Sequence, residues 1–124
     1  MLKDFIHTYG QLSDSIVIEV NFKVDINSPD KKLLETKIYC SNIISDFQYE
    51  IVKIQFLDII NLVFNDTEAF NNFAPKDVFI TEKKDEIVFD FDPIDYFDYL
   101  EENPNSKFKV KCKNIIYSLE RTMS

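Results

Sequence analysis

The residues of this chain that could do chemistry are concentrated in one acidic segment, Asp85 to Glu102. The segment holds eight carboxylates and no lysine or arginine, and aromatic residues such as Tyr96 and Tyr99 are interleaved with the acids. Carboxylates in this number could form a calcium site, a catalytic pair or a docking surface for a basic protein. Each possibility requires a different arrangement of the side chains.

The spacing of these acids argues against calcium, because an EF-hand loop needs a central glycine and a terminal glutamate that are missing here. A carboxylate pair could serve a small hydrolase, but acids this frequent single out no particular pair. Clustered carboxylates beside exposed tyrosines would instead attract and then anchor a basic protein. We expect that docking surface at Asp95, Tyr96, Asp98, Tyr99 and Glu101. The plain alternative is a solvated strand face followed by helix-capping acids.

Other reactive side chains are few. His7 is the only histidine, and the sequence places no ligand cluster beside it for a zinc site or an acid–base pair. Gly10 is the only glycine, which excludes the usual phosphate-binding loops, dinucleotide fingerprints and nucleophile elbows. We therefore expect no enzymatic activity, no catalytic residue, no cofactor and no metal. Cys40 and Cys112 lie among alternating apolar residues and are predicted to be buried thiols, not a disulfide.

Charge and composition limit the class of protein. The formal charge is −8, which disfavours nucleic acid and anionic membrane as partners and favours a basic protein. The chain has 124 residues, of which 45% are hydrophobic, and this composition indicates one folded domain over residues 1–124. The start of the sequence does not resemble a secretory signal, so a cytoplasmic protein is expected.

The element that must organise these residues is the run Tyr49 to Phe64, the most apolar in the sequence. Its alternation and its β-branched residues predict a long central strand, bent once near Leu57 and Asp58. The pattern Phe56-Leu57-Asp58-Ile59-Ile60 recurs in similar form from Cys40 and from Cys112. Two adjacent apolar residues after Asn or Asp predict a β-bulge at each place.

Further strands and two helices are predicted around it. Leu2, Phe5, Ile6 and Tyr9 indicate a short helix that lids an edge or end of the sheet. Alternation over Ser15 to Asp25 turns Ile16, Ile18, Val20, Phe22 and Val24 toward the core. Asp92-Pro93 resembles a helix start, with Ile94, Phe97 and Leu100 on one stripe.

The last strand is predicted from Lys107 to Ser118. Its alternating lysines are expected to pair across strands with Glu86, Asp90 and Asp92. The predicted fold is therefore mainly β, an antiparallel β-sandwich or partly closed barrel with a short N-terminal helix and a short helix near 93–102.

The order of these elements resembles a known group of proteins. Asp14-Ser15-Ile16 opens a strand, Ile54 to Phe64 forms the centre, and Phe108 to Tyr117 closes the chain. In this it resembles small bacterial β-rich families of unknown function, some of whose members look like immunity proteins of toxin–immunity systems. Those families often show His-Asp-Ser where this chain has Ser13-Asp14-Ser15. The resemblance implies a non-enzymatic binding protein that neutralises a toxin with a basic surface. The alternatives are the carboxylate hydrolase and a structural homo-oligomer, such as a homodimer, that pairs through strand edges.

Overall fold

The computed structural model describes residues 2–65 and 73–122. Its elements in chain order are helix α1 (Leu2–Tyr9) and strands β1 (Ile16–Asp25), β2 (Ser28–Asn42), β3 (Gln48–Phe64), β4 (Phe79–Lys83), β5 (Glu86–Asp90), β6 (Ile94–Asp95), β7 (Leu100–Glu101) and β8 (Phe108–Thr122). The segment 66–72, for which the sequence allows a helical turn or a packed loop, lies outside the described residues.

Six strands form one antiparallel sheet in the order β1-β2-β3-β8-β5-β4, and β6 pairs with β7 in a separate hairpin. The prediction of a mainly β, antiparallel fold is confirmed. In the described ranges, the strands form neither a closed barrel nor two large facing sheets. The predicted helix near 93–102 is wrong, because β6, a turn and β7 occupy that stretch.

Helix α1 packs against the inner face of the sheet, and the Thr8 carbonyl accepts a 2.9 Å hydrogen bond from the Ile43 amide at the end of β2. The Phe5 ring centroid lies 5.8 Å from that of Phe89 on β5 and 5.2 Å from that of Tyr117 on β8. Phe5 is fully buried there. Gly10 ends the helix, with a φ of 61° and a 2.7 Å hydrogen bond from its amide to the Ile6 carbonyl.

The bend in β3 lies where the sequence predicts it. Asp58 has a φ of 53°, and two residues instead of one separate the inward-facing Phe56 from Ile59. In the paired strand β8, two residues likewise separate the buried Cys112 from the buried Ile115, and the Asn114 side-chain amide approaches the Asp58 carboxylate at 3.3 Å. The third repeat of the pattern forms a turn, because the Asn42 side-chain oxygen caps the backbone after it.

Strand β1 departs from the predicted alternation. Its register shifts between Val17 and Glu19, so Val17 is buried while Ile18 is exposed. Phe22 and Val24 lie opposite residues of β2 but remain close to half exposed. A bulge therefore replaces the regular inward row that the sequence indicated.

Both cysteines are free and buried, as predicted. Burial raises the pKa of the Cys40 thiol to about 12, with a further contribution from the nearby Glu50 charge. Burial also raises the pKa of the Cys112 thiol to about 12. In the two described ranges, no helix is long and apolar enough to cross a membrane.

Candidate functional site

The predicted docking residues lie together on a hairpin made by residues 94–101, which we call the acidic aromatic hairpin. Ile94 pairs with Glu101, and Asp95 pairs with Leu100. The Tyr96 amide donates to the Tyr99 carbonyl at 3.0 Å and closes the turn. Ile94 and Leu100 are half-buried, so they hold the base of the hairpin while its tip extends into solvent.

The tip is fixed by the Asp95 side chain. Its carboxylate accepts a hydrogen bond from the Phe97 amide at 2.8 Å, which forms an Asx turn. Phe97 itself adopts a φ of 73°, a left-handed conformation that a bulky side chain rarely takes. Its side chain is 99% exposed. Because two further exposed aromatic residues, Tyr96 and Tyr99, lie beside it, Phe97 belongs to a contiguous exposed aromatic group of the kind that marks an interaction surface.

Two tyrosines flank this ring. Tyr96 and Tyr99 stack with their ring centroids 5.0 Å apart and their planes 26° from parallel. Tyr96 is 46% exposed and Tyr99 is 60% exposed. A hydrogen bond to Glu101 raises the pKa of Tyr96, and the negative charge of Glu101 acts in the same direction. The stack therefore offers a rigid aromatic surface beside Phe97, at a low entropic cost on binding.

The hairpin is anchored below by Asp90, which is fully buried at the end of β5. Its carboxylate accepts hydrogen bonds from the Asp92 amide at 2.9 Å, the Asn103 amide at 2.7 Å and the Ser106 hydroxyl at 2.7 Å. The next acid also serves the loop, since the Lys107 amide donates to the Asp92 carboxylate at 3.1 Å. Hydrogen bonds to these two carboxylates therefore hold both ends of the 91–107 segment.

These contacts correct part of the predicted ion pairing. The carboxylates of Asp90 and Asp92 accept hydrogen bonds from the loop, and the ammonium groups of Lys109 and Lys111 bind Glu102. The Lys109 ammonium lies 2.8 Å from the Glu102 carboxylate, and the Lys111 ammonium lies 3.1 Å from the same carboxylate. The hydrogen bond from Lys109 lowers the pKa of Glu102. The expected pair between Lys111 and Glu86 is present at 3.8 Å.

A groove of about 390 Å³ separates the hairpin from the segment before β4. Phe97, Asp98 and Tyr99 line one side, while Lys76 and Asp77 lie on the other. The Ser13 hydroxyl donates to the Asp77 carboxylate, which ties that wall to the residues before β1. The groove gives a partner side chain a place to enter beside the exposed aromatic rings.

Sequence reasoning identified five residues of the hairpin but not Phe97. The expected helix turned Phe97 toward the core with Ile94 and Leu100, whereas the structure leaves its ring in water. The β-forming aromatic residues between Ile94 and Leu100 are the signal that favours a hairpin.

Comparison with known proteins adds no relative. No protein-family model, curated protein or solved structure matches the chain. Within the described residues, no group of three histidine, cysteine, aspartate or glutamate side chains is placed to hold a metal ion.

Proposed function

We propose that this chain is a non-enzymatic binding protein that recognises a basic protein through the acidic aromatic hairpin, and that it serves as the immunity protein of a toxin–immunity pair. The observation that carries the proposal is the 99% exposure of Phe97 at a turn that holds it in a left-handed conformation. Folding gains nothing from that ring in water, whereas a partner pocket that buries it would gain apolar contact.

The distribution of carboxylates supports a basic partner. Asp90 and Asp92 bind the loop, and Glu86 and Glu102 pair with lysines. The hairpin carries Asp95, Asp98 and Glu101 next to its aromatic rings. Exposed charges of one sign speed the encounter with an oppositely charged surface, and the aromatic residues then slow its release.

The resemblance to families that include immunity proteins supports the biological setting. An immunity protein of this kind would cover the basic surface with which a toxin holds its own target. Such inhibition needs neither a catalytic residue nor a cofactor on this chain. A hydrolase would need a free carboxylate pair in a cleft. The groove beside the hairpin is lined by Asp77, Asp95 and Asp98, but Asp77 accepts a hydrogen bond from Ser13 and Asp95 accepts one from the Phe97 amide.

The proposal is tested by expressing the chain together with the product of the neighbouring reading frame, when that product is basic and arrests growth. The wild-type chain should restore growth and copurify with the product. Phe97→Ser should lose both effects, because it removes the exposed anchor. Phe47→Ser is the matched control, since Phe47 is also exposed and also has a positive φ, but lies on the β2–β3 turn.

The two variants together decide the outcome. Rescue by the Phe47 variant and failure of the Phe97 variant, with equal melting temperatures, would support the hairpin as the contact. Equal rescue by both variants would exclude Phe97 from the contact and remove the main support for the proposal.

A further inference from the structure

Strand β1 lies at one edge of the six-stranded sheet, so no described strand pairs with its outer side. Free N–H and C=O groups on an edge strand are a template for another strand. The opposite edge, β4, is protected because it has only 5 residues and ends in charged residues. Strand β1 is longer, with 10 residues, and between its two register shifts it keeps a regular run from Glu19 to Val24.

Apolar side chains follow this open edge. Ile16, Ile18, Phe22 and Val24 are each between 44% and 50% exposed, and Ile26 in the turn after them is 91% exposed. Single exposed apolar residues are ordinary, but a row of them along an unpaired edge marks an interaction surface.

We infer that β1 pairs with β1 of a second copy of this chain, antiparallel and centred on Asn21. This arrangement places Glu19 of each copy opposite Lys23 of the other, so that two ion pairs form across the two-fold axis. It also places Val20 of each copy opposite Phe22 of the other, which gives two apolar pairs. Attractive charges and apolar pairs in directly opposed positions are the contacts that stabilise neighbouring strands.

The faces of the strand agree with this register. Glu19 and Lys23 lie opposite Lys37 and Leu33 of β2, on the outer face of the sheet. Both residues already form ion pairs with β2. The Glu19 carboxylate lies 3.6 Å from the Lys37 ammonium, and the Lys23 ammonium lies 3.5 Å from the Glu35 carboxylate. About half of each side chain remains exposed. Each charge can therefore reach a second partner across the edge.

Val20 and Phe22 lie opposite Thr36 and Leu34, on the inner face. The two charged pairs and the two apolar pairs therefore occupy opposite faces of the joined sheet.

Other antiparallel registers are less favourable. Centring the pairing on Glu19 or on Lys23 sets two like charges face to face, and centring it on Phe22 sets Glu19 against Asp25. Centring it on Val20 sets Glu19 against Asn21, so neither ion pair forms. If the register is shifted by one residue, each side chain on the inner face of one copy lies opposite a side chain on the outer face of the other. The choice of a second copy as the partner rests on this self-complementarity.

The inference does not depend on the proposed function. The acidic aromatic hairpin follows β5, near the other edge of the sheet. A dimer through β1 would leave both hairpins free and would present them as two separate binding sites on one particle.

The first test is sedimentation analysis of the full chain over a concentration series. The wild type should show a monomer–dimer equilibrium. Lys23→Glu should weaken dimerisation about tenfold or more, because it creates two Glu–Glu contacts at the two-fold axis. Glu19→Lys should weaken it similarly, and the double variant should restore it, since the two charges are exchanged together. Lys3→Glu on α1 is the control for net charge.

The second test uses a cross-link. Residues directly opposite each other in an antiparallel pair have Cα atoms about 4.5–5.5 Å apart, which a disulfide can span. Asn21→Cys should therefore form a covalent dimer under mild oxidation. Glu19→Cys should not, because the two introduced thiols would lie four residues apart along the pair.

Each measurement can overturn the inference. A wild type that stays monomeric throughout the concentration series would do so, as would a dimer that Lys23→Glu leaves intact. Equal cross-linking of the Asn21 and Glu19 variants would show that the copies do not pair in this register. Melting curves of all variants identify any loss that comes from unfolding instead.

Discussion

The Asp95 carboxylate accepts a 2.8 Å hydrogen bond from the Phe97 amide and so holds a fully exposed aromatic ring at the tip of a hairpin. Because the Phe97 ring makes no folding contact and its φ is 73°, Phe97→Gly should leave the free energy of unfolding unchanged or raise it by up to about 1 kcal/mol. Partner binding should nevertheless be lost. Urea unfolding measures the first effect, and a clear loss of stability would show that the ring packs against the protein.

Asp90 should contribute strongly to stability, because its buried carboxylate accepts three hydrogen bonds from the loop. Asp90→Asn replaces one acceptor oxygen by an amide group that faces other donors. It should lower the free energy of unfolding by roughly 2–4 kcal/mol. Hydrogen exchange should accelerate over residues 92–107 in particular. Asp30→Asn, an exposed acid on β2, is the matched control and should change neither quantity.

The central strand and its bend could be predicted because both depend on local pattern. Alternation indicated the buried face of β3, and the Asx residue followed by two isoleucines indicated the bend at Asp58. The helix near 93–102 could not be excluded in this way. Asp92-Pro93 has the local chemistry of a helix start, yet the Asp92 carboxylate binds the distant Lys107 amide instead. That contact depends on the return of the chain, which local propensity does not encode.

The site shows the same limit. Composition alone indicated an acidic aromatic segment and five of its residues. The exposure of Phe97 depends on its φ of 73°. The predicted helix assigned Phe97 a helical conformation with its side chain toward the core, so the sequence pattern did not indicate this exposure. For β1, the bulge at Ile18 changes which residues face the core, and the regular alternation from Ile16 to Val24 contains no signal for a bulge.

The interior of the sheet makes a quantitative prediction. Phe56 is fully buried on β3, and its ring lies edge-on to that of Phe89 with centroids 5.0 Å apart. Phe56→Ala should therefore lower the free energy of unfolding by about 3–5 kcal/mol. Equilibrium denaturation is the measurement, and a loss below about 1 kcal/mol would place Phe56 at the surface.

Alkaline pH should destabilise the fold through its thiols. The pKa of Cys40 is raised from 9.0 to about 12, and that of Cys112 likewise. A raised pKa favours the protonated native state, so this stability is complete below pH 9 and is lost as the pH rises toward 12. Each thiol should contribute a slope of up to about 1.4 kcal/mol per pH unit.

Urea unfolding between pH 7 and pH 10.5 measures this dependence. Cys40→Ala should reduce the slope above pH 9, whatever its effect on the absolute stability. Burial and the hydrogen bond to Glu50 also raise the pKa of Tyr9, so Tyr9→Phe should reduce the slope above pH 10. An unchanged slope in the Cys40 variant would mean that the thiol ionises as readily in the folded protein as in the unfolded chain.

The charges of the acidic aromatic hairpin should act on the rate of association more than on the rate of dissociation. Asp98→Asn with Glu101→Gln should slow association several-fold to about tenfold at low salt, because long-range attraction is reduced. Tyr99→Ala should instead speed dissociation, since a desolvated aromatic anchor acts after the encounter. Asp95 is left unchanged in the charge variant, because its carboxylate also holds the turn.

Stopped-flow binding to the basic partner at two salt concentrations separates these effects. Asp30→Asn with Glu82→Gln removes the same charge from exposed positions outside the hairpin, and it should slow association much less. At high salt the hairpin variant and this control should converge, because the Debye length falls to about 3 Å at 1 M. If the two double variants slow association equally at low salt, net charge alone steers the partner. Phe97 and the tyrosines would then carry the specificity of the hairpin without help from its carboxylates.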